Sequence, residues 1–211
     1  MFSTISRNAF ILAAFAIICS ACVALIFVFT QPKIMAQEQQ ARLNILNQLI
    51  PSDSYNNDIV ASCFMVRSDQ YLGRGESHRV FVAKKDNRPV SLMIESSTLL
   101  GYGGEIKLAV GINDKGQLTG VQIIHHTETP GLGDKIQPNK SDWLLSFIGR
   151  SYQPSNQQRW EVKKNGGDFD AFTGATITPR AVVLAVKDTL IYFSDNKFKL
   201  FNHEANCEDN Q

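Results

Sequence analysis

The sequence predicts an α+β protein, antiparallel hairpins packed with helices, tethered by one N-terminal transmembrane helix. Three observations lead there. Ala9 to Thr30 is a run of 22 residues without a charged side chain. Two segments, 78–96 and 106–126, alternate apolar and polar residues on either side of turn-forming residues. Val182, Val183, Val186 and Leu190 then repeat at helical spacing behind Pro179, a residue suited to a helix start. Hairpins followed by a helix, with no helix between the strands, argue for an antiparallel sheet covered by helices.

At 211 residues the chain has room for one domain and an appendage. Its 21 basic and 20 acidic residues leave a formal net charge of +1. No basic cluster is interleaved with aromatics, so nucleic acid is not an expected partner.

The appendage comes first. As a helix, Ala9 to Thr30 would span about 33 Å, enough for a bilayer core of about 30 Å. A signal peptide has a shorter apolar region and a small-residue cleavage site; here Pro32 and Lys33 follow at once. The expectation is therefore an uncleaved anchor, and the competing reading is a cleaved signal. Arg7 precedes the run while Lys33 and Arg42 follow it, so charge bias does not decide which side the N-terminus occupies. A membrane-proximal helix and linker over 31–58 come next, the helix running Ile34 to Ile50 with Leu43, Leu46, Leu49 and Ile50 on its apolar face and Pro51 stopping it. The folded domain is expected over 59–211.

Within that domain the first hairpin turns at Asp86 and Asn87. The second turns at "NDKG" and places Ile106, Leu108, Val110 and Ile112 on one face. "TETPGLGDKI" is a loop punctuated by Gly and Pro. A short helix is predicted from near Ser141, with Trp143, Leu144, Phe147 and Ile148 on one side and Gly149 ending it. Gln153 to Gln158 reads as polar linker and "RWEVKK" as a possible strand. The last helix is predicted from Pro179, with Thr178 as its N-cap.

Four cysteines divide into two pairs. Cys19 and Cys22 share one face of the apolar run and read as small apolar residues in lipid. Cys63 and Cys207 lie near the two ends of the soluble part. A bond between them would close a loop of more than a hundred residues, worth about 4–5 kcal/mol in the chain-entropy account. Such a bond requires an oxidising compartment.

Most candidate chemistry fails on context. "GYGGE", 101–105, precedes a strand rather than a helix and so reads as a turn, not a phosphate loop. His125 and His126 are adjacent on a strand and point to opposite faces, so no shared metal ion is expected. No nucleophile–base order is visible, and hydrolase chemistry is unsupported. What remains is "DFDAFTGATITP". By physics alone its threonines are caps and turn formers, or else Thr176 is an acceptor whose phosphate ester would sit at a helix N-terminus.

Asp170, Thr173, Gly174, Ala175 and Thr176 resemble the Asp-x-x-Ser/Thr-Gly-Ala-Thr acceptor motif of covalent FMN-binding domains. "HHTETPGLGDKI", Trp143 and "VKKNGGDFD" are also similar to that family. With the single anchor, the resemblance covers essentially the whole chain. It is to the family of G subunits of the Rnf (Rsx) ion-translocating electron-transport complexes.

The resemblance implies a non-catalytic relay protein that passes electrons through FMN. The flavin would be held as a phosphoester on Thr176, making the chain a phosphoprotein loaded by a flavin transferase. Asp170 to Ala175 would be the transferase's recognition segment. Thr127, Glu128, Thr129, Gly131 and Leu132 would wall the flavin. The implied partners are the other subunits of a membrane complex. The implied placement is a bacterial inner membrane, with residues 1–8 cytoplasmic and the FMN domain periplasmic. Two alternatives stand beside it: a component like the C subunit of the sodium-translocating NADH:quinone reductase, and a colourless tethered binding module without redox function.

Overall fold

A computed structural model describes residues 2–207. The chain forms two compact units, residues 1–44 and 45–211. The first unit is most of a single helix, α1 (Phe2–Leu49). Its Ile5–Leu49 stretch is long and apolar enough to cross a membrane by length and composition. The expected break after Thr30 is absent: Pro32 lies inside the helix. A proline removes one backbone donor there, and the helix continues on both sides of it.

The second unit is built on a five-stranded sheet in the order β1-β2-β3-β4-β5. The strands are β1 (Phe64–Val66), β2 (His78–Lys85), β3 (Arg88–Thr98), β4 (Ile106–Asn113) and β5 (Leu118–His126). Every neighbouring pair is antiparallel. Both predicted hairpins are present. Asp86 and Asn87 turn the first with φ of 52° and 62°, the paired positive values that match the twist of a two-residue hairpin.

Alternation gives the sheet two apolar faces. Val80, Val82, Leu92, Ile94, Leu108 and Val110 share one buried core with Val182, Val183, Val186 and Leu190 of α2 (Ile177–Phe201). On the other face a lateral row runs Phe81, Met93, Gly111, Gly120. There the last turn of α1 is seated: a Cβ on Gly111 would lie 3.1 Å from Leu49 Cβ, and one on Gly120 2.9 Å from Leu49 Cδ2. Leu46, Leu49 and Ile50 are consequently buried. The helix end reaches the sheet because two strands carry no side chain beneath it.

Other segments pair with part of each sheet edge. At β1 the C-terminal tail returns: Asn206 and Cys207 amides donate to the Cys63 carbonyl, the Met65 amide donates to Asn206 Oδ1 at 2.8 Å, and a disulfide joins Cys63 to Cys207. At β5 the Leu118 amide donates to the Arg150 carbonyl and the Gly149 amide to the Leu118 carbonyl. The backbone groups paired in this way are withheld from pairing with another chain.

Between β5 and α2 the chain departs from the predicted elements. The short helix is a 3-10 turn, Trp143–Phe147, that buries Leu144 and Phe147. A three-residue period aligns those two, and Ile148 is left 52% exposed. Pro154–Arg159 is a second such turn rather than plain linker. "RWEVKK" is not a strand: Trp160 is buried, Val162 makes one isolated bridge to Phe169, and Lys163–Asn165 turns again.

Candidate functional site

Aromatic packing, not regular structure, holds the segment that carries the motif. The Phe147 and Phe169 rings stack at 4.5 Å between centroids, and Trp160 lies 5.5 Å from Phe169. Trp143 meets both Phe147 and Phe172 edge-on at 5.3 Å. With Phe169 and Phe172 turned into the core, the residues between and after them face out: Asp170, Thr173, Gly174 and Thr176 are exposed. The aromatics at these two positions, three apart, are the anchors that the motif pattern alone does not mark.

The polar residues of the segment are fixed in turn. Trp143 Nε1–H donates to the Asp170 carbonyl at 2.8 Å, and Lys163 Nζ pairs with Asp170 Oδ1 at 2.7 Å. Asp168 Oδ2 accepts from Arg150 and Arg159, both at 2.8 Å. These guanidinium hydrogen bonds, Arg159 first, hold the Asp168 carboxyl below its ordinary range. The motif itself is a tight turn closed by the Ala175 amide on the Phe172 carbonyl at 3.1 Å. Gly174 occupies it with φ of 80°, a conformation in which a side chain would be strained.

Thr176 is the N-cap residue of α2, and it makes no side-chain capping hydrogen bond. The predicted cap at Thr178 is displaced inward. Thr178 is fully buried, and its hydroxyl donates to Glu128 Oε2 at 2.6 Å. Pro179 correspondingly sits inside the first turn of the helix rather than at its first position. The hydroxyl that sequence position marks as a cap is consumed by a partner fifty residues away.

The loop expected to wall a flavin comes to the same place. Thr127 is exposed, and its hydroxyl donates to the Gly103 carbonyl at 2.7 Å. Thr129 and Gly131 lie on the same loop, with the Thr129 carbonyl taking the Leu132 amide. Leu132 is 42% exposed, and its Cδ2 would lie 3.5 Å from a Cβ on Gly174. Glu128 differs from its neighbours. It is buried, its Oε1 accepts from the Gly103 amide at 3.1 Å, and its own amide donates to His126 Nδ1 at 3.0 Å. "GYGGE" thus enters the site as the loop that Glu128 grips.

The surroundings fit a flavin esterified through its phosphate. The Thr176 hydroxyl is uncommitted to capping at a helix N-terminus, where backbone amides favour an anion. Beside the turn, the exposed apolar side chains of Leu132 and Ile177 offer surface for a planar ring system. Gly174 adds no bulk beside Leu132.

Comparison with known proteins supports FMN binding by this domain. Residues 101–191 match the FMN-binding domain family, and residues 1–49 match the RnfG N-terminal region. Across nearly its whole length the chain is similar to the G subunit of the ion-translocating oxidoreductase complex of Shewanella baltica (strain OS223), 45% identical over 97% of this chain and 96% of that one. The same protein of Vibrio cholerae (strain M66-2) is 44% identical over 99% of each. That of Pseudoalteromonas atlantica is 45% identical over 96% of this chain and 94% of its own. The chain belongs to the family of G subunits of ion-translocating oxidoreductase complexes.

Proposed function

We propose that the protein is a membrane-anchored flavoprotein that relays electrons through FMN inside an ion-translocating oxidoreductase complex. Its FMN is esterified to Thr176. The observation carrying this reading is the acceptor turn: an exposed threonine, free of capping duty, presented at a helix N-terminus by a glycine-closed turn. FMN supplies reversible uptake and release of electrons, and the chain supplies position. Thr176 is the tether. Asp170 to Ala175 are what a flavin transferase reads, and Thr127, Thr129, Gly131 and Leu132 border the bound flavin.

Attachment requires an FMN donor activated as a phosphoanhydride. The Thr176 oxygen would bond to the donor's flavin-bearing phosphorus and give its proton to the transferase, while the donor's second phosphate would leave with the electrons of the broken P–O bond. Covalent attachment suits a relay on the outer face, where no pool would replace a lost cofactor. The disulfide between Cys63 and Cys207 supports an oxidising compartment for the domain. We place residues 1–8 in the cytoplasm, the span at 9–30 in the bacterial inner membrane, and the FMN domain in the periplasm.

The test is direct. Produced in a host with the transferase, the protein should fluoresce under ultraviolet light in a denaturing gel, and Thr176→Ala should be dark while Thr173→Ala, altered in recognition and not in the tether, keeps more flavin than Thr176→Ala. A bright Thr176→Ala band would overturn the assignment.

A further inference from the structure

Glu128 lies behind the acceptor turn, 5% exposed, with both carboxylate oxygens accepting. Its two donors come from different places. The Gly103 amide belongs to the β3–β4 loop, the Thr178 hydroxyl to the first turn of α2, and Glu128 itself to the loop after β5. Glycines make the space for it. A Cβ on Gly101 would come within 2.6 Å of Oε1, and one on Gly133 within 2.6 Å of Oε2 and 2.8 Å of Thr178 Oγ1. Three segments are therefore packed to contact at this carboxylate.

Resting on the reading of Thr176 as the flavin acceptor, we propose that Glu128 is the positioning residue of the acceptor turn: by holding the Thr178 hydroxyl inward, it fixes the first turn of α2 so that the Thr176 hydroxyl is presented outward. The geometry of a helix supplies the link. Successive residues rotate by about 100°, so side chains two apart point to nearly opposite sides. Thr178 is fully buried and Thr176 is exposed, as that rotation demands. Thr176 has no capping bond of its own to set its orientation. The lock is on its neighbour. Because Oε1 holds the Gly103 amide, the same carboxylate also sets the β3–β4 loop against the helix start.

The experiment uses the full-length protein in detergent, made without flavin transferase and then loaded with purified transferase. Glu128→Ala and Thr178→Val should each lower kcat for loading by roughly 10–100-fold, the scale of a misplaced reacting group. KM for the acceptor protein should change little, since the motif side chains remain. In the unloaded protein, amide exchange over residues 173–178 should rise in both variants. Glu128→Gln should restore loading, because its amide can accept from Gly103 and donate to the Thr178 oxygen. Thr178→Val keeps the side-chain volume and decides the matter if Glu128→Ala does not fold. Wild-type kcat and exchange in Thr178→Val would overturn the proposal, as would a defect confined to KM. Flavin on Thr176→Ala would instead sink the acceptor reading itself, so the two failures are distinguishable.

Discussion

Thr178 and His78 show how little a residue's type says until its surroundings are known. A threonine before a proline at a helix start has the usual profile of a cap, and Thr178 instead spends its hydroxyl on Glu128. The imidazole of His78, 5% exposed at the start of β2, lies among Glu76, Glu105 and Lys107. Burial, the larger effect, pushes its pKa below the ordinary histidine value, and the Glu76 carboxylate partly opposes this. The sign of the consequence is fixed. A histidine whose folded pKa is depressed favours the neutral form, so its contribution is complete above the unfolded value of about 6.5. It is lost as pH falls below that, because the unfolded chain binds the proton more readily. Denaturant titrations between pH 8 and pH 5 should therefore show falling stability in the wild type and a shallower decline in His78→Gln. Parallel curves would show that His78 carries none of it.

At the scale of elements, the most informative case is the end of α1. Its apolar face, Leu46, Leu49 and Ile50, is legible from helical spacing, but its seat is not. The seat exists because Gly111 and Gly120 are register partners on β4 and β5, which only strand pairing reveals. Replacing Leu49 by Ala should cost the domain about 2–5 kcal/mol, the usual range for a buried leucine truncated in place. Phe10→Ala, on the exposed apolar part of the same helix, should leave the domain's denaturation midpoint unchanged. If Leu49→Ala were equally silent, the last turn of α1 would not be part of the folded core. The stretch from 142 to 176 shows the opposite relation. Its local periods, helical at 143–148 and alternating at 159–164, give way to 3-10 turns, because rings packing on rings satisfy burial without a repeating backbone.

For the whole molecule, two long-range constraints matter, the bond that closes the domain and the helix that tethers it. Cys63 and Cys207 are 144 residues apart in sequence. Freeing them should destabilise the domain by about 5 kcal/mol in the chain-entropy account, read as the loss on going from wild type to the Cys63→Ser, Cys207→Ser double variant. Thiol labelling of unreduced, denatured protein from fresh membranes should reach Cys19 and Cys22 and miss Cys63 and Cys207. Labelling of all four would argue against the bond in the cell. The tether acts through concentration, keeping a relay beside its neighbours without added contacts. A version cut before Gln37 and exported by a cleavable signal keeps Leu46, Leu49 and Ile50, so it should fold and accept FMN at Thr176. It should fail to support electron transfer in membranes; full activity would remove the anchor's role.

Sequence alone determined those elements whose local pattern the rest of the fold did not override. The apolar run, the two hairpins with their turns and the buried face of α2 all rest on neighbours within a few positions, where spacing dictates geometry. The tertiary structure decided the rest. It merged the anchor with the membrane-proximal helix and replaced the strand at 160–164 with turns. It also turned Glu128 away from the surface and Thr178 inward to meet it. Those outcomes depend on partners tens of residues distant, and a buried hydroxyl or carboxylate takes whichever partner the fold brings within reach.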